Sequence, residues 1–343
     1  MSVQSTCIRG SGLLFIGVLA LVPIENGGNT YWQYDPATTG DWFDAPNWSA
    51  GFPASNNDPI IENGGTAHIG AGAAAGRNIF IGFNDDGTLV HDGGSLTATN
   101  TVIIAQTATF TGQYDVSGGA LLTSPSIRIG QYGDGIVNMS GGLLQLSASM
   151  TVGSDGSGWF YQTGGDVNVI DGCCSGHVDV AWGVGSYGRY ELTGPATLTT
   201  NVLYVGQNGV GEFHQDGGLV DAVETVKIGV GAGSDGTYTL TGGGQILCKR
   251  VYIGNDGSDG ATGLFIHEDG DVVANNTVGM SGNDSNSTYR MQSGSLTTVN
   301  MSLGRKGVSL FDQTGGTTLV TDYLSMRSDT GTSSTILLSG GVL

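Results

Sequence analysis

Basic residues are scarce in this chain: 11 Lys and Arg against 30 Asp and Glu leave a formal net charge of −19 over 343 residues. Phosphate contacts need clustered cations, which argues against nucleic acid as a partner. A polyanionic sugar would meet the same repulsion. Proline is almost absent beyond the start: Pro23, Pro36, Pro46, Pro53 and Pro59 precede residue 60, and only Pro125 and Pro195 follow. Cysteine is too sparse for a disulfide framework. Cys7 lies in the N-terminal apolar region, and Cys173, Cys174 and Cys248 are an odd remainder. Long apolar runs are missing as well. The stretch Gly12 to Val22, about 11 residues behind Arg9, is too short for a bilayer and suits the core of a secretory signal peptide over 1–24. No membrane span is expected in the mature chain.

What the chain has in excess is glycine, 62 residues, without the triplet period of collagen. With 38% hydrophobic residues, disorder is a poor reading, and many tight turns between short strands fit better. Eleven copies of one pattern support this, among them YDVSGGAL (114–121), GWFYQTGGDV (158–167), YTLTGGGQ (238–245) and FDQTGGTT (311–318). Their first glycine positions run from 93 to 340, a mean interval of about 25 residues, which marks a solenoid or array.

Four residues before that position stands an apolar side chain in every copy, from Leu89 and Tyr114 to Phe311 and Ile336. A second column pairs an apolar with a small residue, as in Ile81-Gly82, Ile129-Gly130, Val184-Gly185, Val278-Gly279 and Leu324-Ser325. Ahead of each is another inward candidate, including Ile79, Trp182 and Tyr323, with Asn276 the one polar exception. Apolar residues two apart with polar ones between them are strand alternation.

The expected fold is therefore all-β: a single-stranded β-solenoid (β-helix) of about 11 coils with roughly 23–25 residues each. Residues 58–343 would form the coils, clear from about 77, with loop insertions near 170–178 and 255–262. The last copy ends within its turn at 340–343, so the final coil is expected to lack a cap of its own. Residues 25–57, with Tyr31, Trp32, Tyr34, Trp42, Phe43, Trp48 and Phe52, would cap the first coil.

The segment GDWFDAPNWSAGFPASNNDPIIENGG (40–65), followed by G-x-[FY]-x-[QL]-[TS]-G-G and [IV]-G repeats, resembles secreted bacterial surface β-solenoid proteins of the autotransporter-passenger-like and PEP-CTERM-associated repeat types. The resemblance implies an exported protein displayed at the bacterial cell surface or in a matrix. It brings no catalytic residues.

Candidate sites are few. Asp134, Asp155, Asp235 and Asp256 sit in Asp-Gly turns that could gather oxygen ligands for calcium, the one cofactor the chain admits. Asp-Gly is also an ordinary turn signal, and that is the stronger reading. Cys173, Cys174 and His177 are zinc ligands by type, but a fourth ligand is missing nearby, and a loop with free thiols or a vicinal disulfide fits better. Trp32, Trp42 and Trp48 could stack on sugar rings or simply cover the open end of the solenoid, the preferred role. In 158–167, alternation turns only Trp159 and Tyr161 outward, as contacts for a ligand. His91, Gln162, Gln215, His267 and Gln313 fall in the inward register and are read as structural.

The expected function is a secreted, non-enzymatic surface, adhesion or extracellular-matrix module, partnered by other surface proteins, glycans or copies of itself. Two alternatives remain: a polysaccharide lyase or hydrolase on a β-helix, and a calcium-dependent glycan-binding module. An enzyme would need acids converging in one cleft.

Overall fold

The computed structural model describes residues 27–171, 176–254, 260–280, 282–304, 306–327 and 332–343. The segment 1–24, Cys173, Cys174 and Asp256 lie outside the described residues. Among the described residues, 23 strands join in one continuous parallel sheet wound into about 12 turns of a β-solenoid. The sole helix among them is a single 3-10 turn, Ala45–Asn47, and no helix is long and apolar enough to cross a membrane. At about 4.8 Å per coil the rod is on the order of 55 Å long.

Each coil has three short legs. In one coil they are Thr111–Val116 and the two halves of Leu121–Ile129. The first leg lies against the same leg of the next coil, Tyr114 opposite Val137, and the third does likewise, Ile127 opposite Met150. The bend between second and third legs absorbs differences in coil length as register shifts, for example between Leu146 and Ser149.

The first column is observed as expected. Leu89, Tyr114, Val137, Phe160, Tyr190, Phe213, Tyr238, Phe265, Tyr289, Phe311 and Ile336 form one unbroken ladder, and it starts a coil earlier, at Ala67. The rings of Phe160, Tyr190, Phe213 and Tyr238 stack with centroids 4.7–4.8 Å apart and planes within 20°. That spacing is the strand separation of the sheet, so the backbone imposes the stack.

The second column needs correction in three coils. Val178 and Val180 pair with Leu203 and Val205, so the inward pair of that coil is Val178/Val180. Trp182 and Val184 instead lie in the following turn, 45% and 91% exposed. Val278 and Met280 pair with Met301 and Leu303, which removes the polar exception at Asn276. Leu324 and Met326 pair with Met301 and Leu303, so Tyr323 points outward. The corrected ladder has its first rung at Ile61 and its last at Met326.

The small residue that follows most third legs has a geometric cause. At Gly130 φ is +69°, and a Cβ there would lie 1.9 Å from the Ser157 carbonyl oxygen of the next coil. Ala105 and Ala181 take the same left-handed conformation, with φ of 56° and 62°.

Buried polar groups close the interior at the corner between first and second legs. Gln162 Nε2 donates to the carbonyl of Gly165, Gln215 Nε2 to that of Gly218, and Gln313 Nε2 to that of Gly316. His267 Nε2 lies 3.0 Å from the Gly270 carbonyl, three residues on in the same way. At Gln162, Gln215 and His267 the other end of the side chain faces the next coil, as does His91. Tyr190 Oη donates to Gln162 Oε1 at 2.7 Å and Tyr238 Oη to Gln215 Oε1 at 2.6 Å. Tyr289 Oη lies 3.0 Å from His267 Nδ1, and Tyr114 Oη 2.9 Å from His91 Nδ1. A carbonyl only accepts, so His267 carries its proton on Nε2 and accepts a hydrogen bond from the Tyr289 hydroxyl at Nδ1. Neutral His267 thus does what glutamine does, while His91 makes the tyrosine contact and its buried Nε2 has no hydrogen-bond partner among the described residues. The structural reading of these residues agrees with the geometry, and the tyrosine is the partner that the sequence reading lacked.

At the N-terminal end Trp32, Trp42 and Trp48 pack edge to face, with centroids 5.0 and 4.9 Å apart. Trp48 Nε1 donates to the Trp42 carbonyl at 2.8 Å. Strands Asn29–Tyr31 and Thr39–Asp41 lie in parallel register on Asp58–Ile60 and Thr66–His68. The aromatic segment therefore covers the first coil as a cap.

Candidate functional site

Among the described residues, the aspartates expected to hold calcium do not come together. Asp134 pairs with Ser157, and the next rungs of its row are Tyr187, Val210 and Asp235. Asp134 and Asp235 are thus four coils apart, about 19 Å. Asp155 lies in a different row, its amide donating to the Gln131 carbonyl. Stacking converts aspartates that look alike in sequence into separate positions. Among the described residues, no group of three or more His, Cys, Asp or Glu side chains is placed to hold a metal ion. His177 Nε2 lies 3.3 Å from Asp179 Oδ2. Asp179 is buried, which pushes its carboxyl above the usual carboxylate range against the pull of His177.

The proposed sugar-stacking tryptophans are unavailable. Trp32, Trp42 and Trp48 are 2%, 0% and 3% exposed, since their faces pack on one another and on the first coil. Trp159 and Tyr161 do face outward and are half-buried. Trp159 lies in a row between Ile136 and Arg189, its ring 5.9 Å from Tyr187. Tyr161 borders a shallow hollow of about 290 Å³ with Asp115, Asn138 and Thr163. Asn138 Nδ2 donates to Asp115 Oδ1 there at 2.7 Å, so part of its polar lining is already paired.

A larger groove, about 440 Å³, lies on the outer face of the third legs near the N-terminal end. Its floor is two adjacent rows. Phe80, Ile103 and Arg128 form one, and Asn78, Thr101 and Ser126 the other. The turn after each third leg supplies a rim of Phe83, Gln106, Gln131 and Tyr132. Phe80 and Phe83 meet edge to face at 5.0 Å, and Tyr132 is 50% exposed.

Its polar groups are braced in place. Asp58 accepts from the backbone N–H and the Nδ2 of Asn78 at 3.0 and 3.1 Å and from Arg77 Nε at 2.9 Å. Burial alone would raise the Asp58 carboxyl, but Arg77 and Asn78 hold it below its ordinary value. Asn100 Nδ2 donates to Asn78 Oδ1, and Ser126 Oγ to Thr101 Oγ1. Arg128 Nη1 donates to Gln131 Oε1, whose Nε2 donates to Asp155 Oδ2, both at 3.3 Å. The groove thus offers fixed rings, amides, hydroxyls and one guanidinium. Such a set can hold a ligand but supplies no pair of acids to cleave one.

Sequence reading missed this groove because its residues recur at no fixed type: Phe80, Ile103 and Arg128 share a row but no chemistry. The signal that could have found it is the set of rings and amides in or beside three successive third legs and the turns after them: Asn78, Phe80 and Phe83, then Asn100 and Gln106, then Gln131 and Tyr132.

Compared with protein-family models, curated proteins and solved structures, the chain matches none.

Proposed function

We propose that the protein is a secreted, non-enzymatic β-solenoid acting as a bacterial cell-surface, adhesion or extracellular-matrix module. The observation that carries this reading is the contrast between the interior and the outer face. The histidines and glutamines that could do chemistry at His91, Gln162, Gln215 and His267 are engaged with tyrosines of the next coil. The outward aspartates are spread along the rod, as Asp134 and Asp235 are. A stiff rod with chemically quiet faces works by geometry: it spaces, displays and binds. The N-terminal apolar segment and the resemblance of 40–65 to secreted surface proteins support export.

Incubation with a panel of neutral and acidic polysaccharides tests the reading. The expected result is retention of at least one polymer with no new reducing or unsaturated ends at any time point. Release of such ends, abolished by heat denaturation, would favour the polysaccharide-cleaving alternative.

A further inference from the structure

The groove built on Phe80, Ile103 and Arg128 is larger than the hollow beside Tyr161, and its chemistry narrows the ligand. It crosses three coils and is open above, so a ligand lies along it instead of being enclosed. Three rings, Phe80, Phe83 and Tyr132, offer apolar faces on which the C–H face of a pyranose can pack. Around them stand Asn78, Asn100 and Gln106, whose amides both donate and accept, as sugar hydroxyls require, while the buried Thr101 hydroxyl is already bonded to Ser126. Among the described residues no hydrogen bond holds the Gln106 side chain, whereas Gln131 is tied at both ends.

Charge argues against an acidic ligand. The groove's one guanidinium, Arg128, is linked through Gln131 to Asp155, and the chain as a whole carries −19. A polypeptide is disfavoured for a different reason. The third legs here pair on both sides, as Ile103 does with Phe80 and Arg128, so no free strand edge is available for an added strand. Finally, the floor rows repeat at the coil spacing, about 4.8 Å, which is close to the length of one pyranose unit. Successive sugars of an extended chain would meet successive coils.

From these observations we infer that this groove binds a short stretch of a linear neutral polysaccharide laid along the rod axis, with Tyr132 and Phe83 as its ring platforms. The inference rests on the adhesive, non-enzymatic reading above and names the ligand class of that face.

Isothermal titration of the full chain with cellotetraose and xylotetraose tests it, with tetragalacturonate and unfolded casein as acidic and polypeptide probes. At least one neutral tetrasaccharide should bind. Tyr132→Ala and Phe83→Ala should each weaken it about tenfold or more, the scale of a ring at the centre of a contact. Tyr132→Phe, which keeps the ring, should stay within about threefold of wild type. Trp182→Ala, an exposed ring two coils beyond the groove, should change affinity less than about twofold. Melting temperatures of the Tyr132 variants check that each is folded. The assignment is overturned if neither neutral sugar binds, if only tetragalacturonate binds, or if casein displaces the sugar. It is also overturned if Tyr132→Ala and Phe83→Ala bind as wild type does; that outcome leaves the adhesive reading standing. Shortening of the bound tetrasaccharide would instead defeat the non-enzymatic reading, whichever face held it.

Discussion

Replacing Gln215 by leucine is expected to destabilise the rod by about 2–4 kcal/mol, although leucine is the residue at the same rung in both neighbouring coils. Gln215 joins three buried groups: it donates to the carbonyls of Gly218 and Gln245 and accepts from Tyr238 Oη. Leucine leaves all three short of a partner, and a buried hydroxyl without one costs about 1–3 kcal/mol. The sharper expectation concerns sign. Tyr238→Phe should destabilise the wild-type chain by about 1–2 kcal/mol, because it strands Gln215 Oε1. In the Gln215→Leu background the same change should be neutral or stabilising, since it removes the orphaned hydroxyl. Leu192 beneath Phe213 and Leu240 beneath Phe265 already show that combination in this molecule. Urea unfolding of the four chains gives the coupling energy. Coils touch only their neighbours, so amide exchange should rise first around 215 and 238. Additive effects of the two substitutions would contradict the rung as described.

Acid should weaken the rod through His91 and His267. Burial pushes both imidazoles below the ordinary histidine value of about 6.5, against the smaller upward pull of Asp92 on His91 and of Asp269 and Asp271 on His267. Between the folded and unfolded values the unfolded chain binds more protons, so stability is full above about pH 6.5. It falls as pH drops from there through the lower folded-state values, where the loss is complete. The double variant His91→Gln, His267→Gln should keep neutral-pH stability, because glutamine fills the same role at Gln162 and Gln215. Its stability should stay flatter from pH 6.5 downward. The Asp58–Arg77 pair acts lower: Asp58 sits below the usual 3.8, so its contribution fades only as pH falls through its depressed value. Melting temperatures of both chains from pH 8 to pH 4 provide the comparison. Parallel curves would show that the histidines do not carry the acid sensitivity.

The aromatic ladder could be read from sequence because each first leg ends at a glycine corner, fixing the count back to the inward residue. The third leg has no such anchor in the coil of Val180. Val180-Ala181 and Val184-Gly185 both satisfy an apolar-small rule, and only pairing with Val205 decides. The choice between tyrosine and phenylalanine in the ladder was also legible in principle. Tyr114, Tyr190, Tyr238 and Tyr289 follow coils with His91, Gln162, Gln215 and His267. Phe160, Phe213, Phe265 and Phe311 follow coils with Met139, Leu192, Leu240 and Met291. Ile336 above Gln313 breaks this rule, and there the hydroxyl of Thr318 replaces the missing phenol at 3.0 Å. The burial of Trp32, Trp42 and Trp48 was less accessible, because a tryptophan suits a sugar platform and an end cap equally well until its neighbours are known. The groove required knowledge of which outward residues meet across coils.

Both the interior rungs and the groove depend on one geometric fact, the stacking of each coil on the next in this register. Disulfide trapping tests it most directly, with the native cysteines replaced. Ile103 pairs with Arg128 and Arg128 with Thr151, one coil apart, while Ile103 and Thr151 are two coils apart. A disulfide spans Cα atoms about 4.4–6.8 Å apart, which one coil step of about 4.8 Å satisfies and two steps do not. Cysteine pairs at 103/128 and at 128/151 should therefore close within a single chain under mild oxidation, and the pair at 103/151 should stay reduced. Closure of 103/151 as fast as its neighbours, or failure of both adjacent pairs to close, would contradict the account.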